Sequence, residues 1–87
     1  MEFEFDSNKS ESNKLKHGID FVEGQRLWRD NRGIEYRVAS GGEPRYVLIA
    51  RYKEKHWAAV YTFRGERIRP ISIRRARVKE IALYDNR

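Results

Sequence analysis

The sequence predicts an α+β fold: an antiparallel β-sheet of about four to five strands, with two N-terminal helices and one C-terminal helix. Three observations carry this. Two helical patterns with their own stop and start signals occupy the first third of the chain. Short alternating or apolar runs separated by turn residues follow, and a helical pattern closes the sequence. At 87 residues, with no linker and no internal repeat, the chain reads as a single domain over 1–87.

Each element has a local reason. "EFEF" at 2–5 alternates strictly and reads as a short strand with Phe3 and Phe5 on one face. Asp6 is placed as the N-cap of a polar helix over 7–17, in which Leu15 is the only apolar side chain. Gly18 sits where that helix needs a left-handed C-terminal residue. Asp20 and Glu23 have capping-box spacing, and Phe21, Val22, Leu27 and Trp28 follow at roughly helical period, so a second helix is predicted up to "DNRG" at 30–33. A meander comes next: "IEYRVA" (34–39), a turn at 40–44, "RYVLIARY" (45–52), "WAAVYTF" (57–63) and "RIRPISI" (67–73). Residues 76–84 read as the last helix, with Val78, Ile81 and Ala82 as its packing stripe. The helices are expected mainly on one face of the sheet.

Charge is unevenly placed. Residues 1–44 hold seven basic and nine acidic side chains, whereas residues 45–87 hold twelve basic and four acidic, so the net +6 comes from the second half. "RGERIRPISIRRARVKE" (64–80) alone has six arginines and one lysine against two glutamates. Isoleucines threaded through it mark folded structure rather than a basic tail. A sequence pI near 9.9 with one basic half points to a polyanion partner, nucleic acid first. The chain has no cysteine, which excludes disulfides and thiolate chemistry. It shows no zinc spacing and no phosphate-binding glycine loop, so neither metal nor cofactor is expected. A long apolar run and a signal-peptide layout are both absent from the sequence, so a cytoplasmic location and no membrane partner are expected.

"FDSNKSESNKLKHGIDF" resembles the opening signature of the BrnT family through Asp6, Lys9, Asn13, Lys16, His17, Gly18 and Phe21. "RIRPISIRRARVKEIALY" resembles its closing signature through Ile71, Ser72, Arg74, Ala76, Glu80 and Tyr84, and Glu43 with Arg45 matches between them. The resemblance spans essentially the whole chain. It implies a RelE-like fold and a type II toxin that cleaves RNA, free or on the ribosome, to arrest translation and growth. The implied partner is a BrnA-like antitoxin, in a hetero-oligomer of two toxins with two antitoxins, and operator DNA is met only through the antitoxin. The sequence departs from the family where alanine is common at Gly24 and Ile73 and an aliphatic residue at Pro70.

RNA cleavage through the substrate's own 2′-OH needs a proton acceptor, stabilisation of the phosphorane charge and a proton for the leaving 5′-oxygen. Arginine suits the second task because guanidinium is planar, permanently charged and bidentate toward phosphate. Arg64 and Arg74 are the leading phosphate binders, with Arg67, Arg69, Arg75 and Arg77 as further RNA contacts. Regular alternation along 67–74 puts Ser72 and Arg74 on one face, and Arg67, Arg69, Ile71 and Ile73 on the core side. Lys16 and His17 are the candidate acid–base pair, against the plainer role of cations at a helix C-terminus. Tyr84 is placed as a base-stacking or proton-donating group, or as a seal of the last helix on the sheet. Glu80 is read as a structural partner of Arg74 or Arg77, and Ser72 as support. A non-catalytic RNA- or ribosome-binding or protein-interaction module with a basic face is the alternative.

Overall fold

The computed structural model describes residues 1–39 and 41–87; Ser40, within the turn expected at 40–44, lies outside the described residues. The first helix, α1 (Ser7–His17), begins where Asp6 turns back and its carboxylate accepts the Asn8 N–H at 2.7 Å. It ends at Gly18, whose φ of +83° is the left-handed stop. Its inward side chains are polar. Ser10 accepts the Phe21 N–H at 2.9 Å, and Asn13 donates to the carbonyls of Ile19 (2.7 Å) and Ile73 (2.8 Å) while accepting the Ile73 N–H (3.1 Å). Hydrogen bonding rather than an apolar stripe therefore docks α1, which is why Leu15 is left 88% exposed.

The second predicted helix is a 3-10 helix, Glu23–Arg29. Asp20 accepts the N–H groups of Val22 and Glu23, as its capping spacing suggested, but the helix itself starts two residues later than an Asp20 cap would place it, after Val22. The tighter winding has a packing cause. Gly24 and Leu27 are the residues it buries, and a three-residue turn brings positions i and i+3 onto one side. Gly24 lies so close to β4 that an added Cβ would stand 2.3 Å from Ile73 Cδ1.

Four strands, β1 (Ile34–Val38), β2 (Arg45–Tyr52), β3 (Lys55–Arg64) and β4 (Arg67–Arg75), form one antiparallel sheet in sequence order. "EFEF" is not a strand of its own. It makes one parallel bridge, Phe3 to Ile68, with Glu4 N–H to Ile68 O at 2.9 Å and Ile68 N–H to Glu2 O at 2.8 Å. The chain must then turn into the Asp6 cap, so the pairing stops. Phe3 and Phe5 still pack as expected, edge-on to Trp28 and Phe21 at 5.0 and 5.7 Å. The outer edge of β4 is thus covered at Ile68 by the N-terminal segment and at Ile73 by Asn13, with Pro70 between them lacking an N–H.

The helices lie on both faces of the sheet, not mainly on one. Leu48, Ala50, Trp57, Ala59, Tyr61, Ile68 and Ile73 meet Ile19, Phe21 and Leu27 on the first face. Val47, Ile49 and Ala58 meet Tyr84 on the second, beneath the last helix, α2 (Val78–Asp85). The apolar run of β2 is buried on both sides for this reason. The packing stripe expected for α2 holds only in part: Glu80 and Tyr84 face in and Ile81 is half-buried, while Val78 (84%) and Ala82 are exposed.

Candidate functional site

The arginine-rich strand is irregular at one residue. Val60 pairs with Ser72 and Tyr61 with Pro70, so Ile71 is an unpaired bulge in β4. Strict alternation therefore fails, and this corrects the expected faces. Arg67 and Arg69 pair with Arg64 and Thr62, Ser72 with Val60 and Arg74 with Ala58. Residues directly opposite share a face, so Arg64, Arg67, Arg69, Ser72 and Arg74 all belong to the second face, the one carrying α2. Of the residues expected on the core side, only Ile73 enters the core, and Ile71 does not.

The bulge also joins the sheet to α1. A cavity of about 210 Å³ holds Lys9, Lys16 and His17 of α1 against Ile71 and Ser72. A neighbouring cavity of about 220 Å³, sharing Lys9 and Ile71, is lined by Arg45, Arg64 and Arg69 with Asp6 and Glu43. Asp6 is already occupied as the helix cap, and Arg69 is balanced by Glu4 at 3.3 Å. Lys9, Lys16, Arg45 and Arg64 form no ion pair among the described residues and are exposed, so this cleft attracts anions.

Arg74 is held apart from that cleft. Its guanidinium makes two parallel bonds to Glu80, at 2.8 and 2.9 Å, and Glu80 also accepts the Arg77 N–H at 2.7 Å at the start of α2. The bond from Arg74 holds the Glu80 carboxyl below its ordinary value against the effect of burial. The bond to Glu80 likewise raises Arg74.

The remaining candidates are dispersed. Tyr84 donates to Asp30 at 2.7 Å and stands edge-on to His56 at 5.1 Å, near the β2–β3 turn. Eight residue steps of β3, about 26 Å at strand rise, separate His56 from Arg64, and Tyr84 lines neither cavity of the cleft. Burial and Asp30 raise its phenol. Burial opposes ionisation of Asp30, but bonds from the Arg51 N–H, Tyr84 and the Arg32 N–H outweigh it and hold that carboxyl low. Arg67 is tied to Glu2 and Glu4 at 3.2 and 3.6 Å, Arg75 lies over the Trp57 ring at 5.6 Å on the first face, and Arg77 opens α2.

Three cleft or near-cleft residues escaped the sequence reading as site residues. Lys9 and Arg45 were visible only as signature positions. Tyr36 shares the second face through Val47 and Val60, and its phenol is raised by burial and by Glu80, with Arg74 opposing. Its alternation with Ile34 and Val38 was legible, but its approach to Arg74 and Glu80 depends on sheet register.

These features define a class: a small basic α+β domain with an anion-attracting cleft at the rim of a four-stranded sheet. A family model described as the ribonuclease toxin, BrnT, of type II toxin–antitoxin systems matches residues 5–80. The chain belongs to that family of ribonuclease toxins, which implies an antitoxin protein partner and an RNA target. Among curated proteins, none matches the chain. No helix among the described residues is long and apolar enough to cross a membrane.

Proposed function

We propose that the chain is a RelE-like endoribonuclease that cuts RNA without a metal, in the cleft around the Ile71 bulge. The observation that carries this reading is the meeting there of Lys16 and His17 from α1 with Arg45, Arg64 and Arg69 from the sheet. A phosphate seated over the bulge has guanidinium donors on one side and an imidazole and an ammonium on the other. Arg64 and Arg45 stabilise the phosphorane charge, and Lys16 and His17 exchange protons with the 2′-oxygen and the leaving 5′-oxygen. Arg69 acts partly discharged by Glu4, Ser72 lines the floor, and Arg74 with Glu80 props the far side of the face. Arg67, Arg75 and Arg77 widen the positive field that draws RNA in. The chain acts in the cytoplasm, where a BrnA-like antitoxin silences it in a complex of two toxins with two antitoxins.

The test uses the purified chain with a long single-stranded RNA in EDTA. His17→Gln should slow cleavage by about 100-fold or more while RNA affinity and the unfolding midpoint hold. Arg64→Ala should weaken both affinity and rate. Retardation of RNA on a gel with no cleavage by the wild type would overturn the nuclease reading in favour of a binding module.

A further inference from the structure

α2 is attached to the sheet by polar groups. Glu80 binds Arg74 and Tyr84 binds Asp30, while Arg87, just beyond α2, donates to the carbonyls of Arg32 and Gly33. These contacts orient the helix with its apolar side outward. Val78, Ala82 and Leu83 are exposed, although each is a residue that a short helix normally turns toward its core. Lys79 lies beside Val78, and Arg77 stands at the entry to the helix. Neither of these two cations has an ion pair among the described residues. An apolar strip with a basic rim suits a protein interface, because exposed apolar surface edged by charge marks interaction sites.

We propose that the outer face of α2 is the docking surface for the antitoxin, which the family membership implies as a partner. The segment that covers it is amphipathic, with aliphatic side chains set on Val78, Ala82 and Leu83 and carboxylates opposite Arg77 and Lys79. Charge complementarity selects this occupant over a second copy of the chain, whose own α2 face would bring like charges together. The surface is separate from the Ile71 cleft, so docking here anchors the antitoxin without needing any residue of that cleft. The proposal rests on the antitoxin partner and not on the nuclease reading.

The test uses the complex of this chain with the antitoxin encoded beside it. Val78→Asp with Leu83→Lys, charges that suit the two ends of the helix, should weaken antitoxin binding at least about 30-fold. The free variant should keep the circular dichroism spectrum and the unfolding midpoint of the wild type, which shows that it is folded. Lys79→Glu alone should slow association and reduce its dependence on salt. In the wild type, adding the antitoxin should protect the α2 amides from hydrogen exchange. Unchanged antitoxin affinity in the double variant, or α2 amides that exchange equally fast in the complex, would overturn the proposal. So would self-association of the free chain that the double variant abolishes, since the face would then be a contact between copies.

Discussion

The guanidinium of Arg74 and the carboxylate of Glu80 face each other through two bonds of 2.8 and 2.9 Å, and together they join β4 to α2. Both side chains are largely shielded, at 19% and 12% exposure, so neither loses its partner cheaply. Arg74→Ala leaves a shielded carboxylate without its bidentate donor and should cost about 2 kcal/mol of stability. Loss of toxicity in that variant would then report partly on folding. Chemical denaturation of Arg74→Ala beside Arg64→Ala separates the two effects, with only the former expected to shift the midpoint strongly.

The same pair makes stability depend on pH in a defined direction. The folded value of Glu80 lies below its ordinary value of 4.5, so the unfolded chain takes up the proton first. Its contribution is complete above that ordinary value and fades as pH falls through the depressed one. Asp30, also held below its ordinary 3.8, adds to the loss at lower pH. Thermal midpoints measured from pH 6 downward should fall less steeply in Glu80→Gln than in the wild type, from a lower starting value. Parallel slopes would show that the pair does not couple to folding.

Gly24 and Ile73 fit each other. Gly24→Ala puts a methyl 2.3 Å from Ile73 Cδ1, and Ile73 is fully buried, so the chain must strain to admit it. A loss of about 1–3 kcal/mol is expected. Ile73→Val removes the atom in the way and should make Gly24→Ala nearly harmless, a coupling that a double-mutant cycle reads directly.

Asn13 is expected to matter more than its place on a polar helix suggests. Asn13→Ala orphans the Ile19 carbonyl and both main-chain groups of Ile73, at a cost of about 2–4 kcal/mol. It also uncovers the edge of β4, so the variant should self-associate at high concentration, checked by light scattering.

Lys53 and Glu54 turn β2 into β3 with φ of +51° and +65°, a conformation that neither side chain favours. Glu54→Gly should raise stability by a few tenths to about 1 kcal/mol without touching the cleft. Equilibrium unfolding with RNA cleavage as a control measures it.

Much of this protein is determined by local sequence. Asp6 and Gly18 bound α1 through capping chemistry that needs only neighbouring residues. The run at 45–52 became β2 with those limits, and the turn residues around it set a meander. Family signatures at the two ends were legible because they are residue types at fixed spacing. Tertiary structure alone decided the rest. Alternation says which residues share a face only while pairing is regular, and the Ile71 bulge moved Arg67 and Arg69 to the side of Ser72 and Arg74. Periodicity alone gave the 3-10 helix the wrong form and α2 partly the wrong face: close approach at Gly24 governs the first, and the bonds of Glu80 to Arg74 and of Tyr84 to distant Asp30 turn the second. In each case a contact made outside the element outweighed a local preference worth less than 1 kcal/mol per residue.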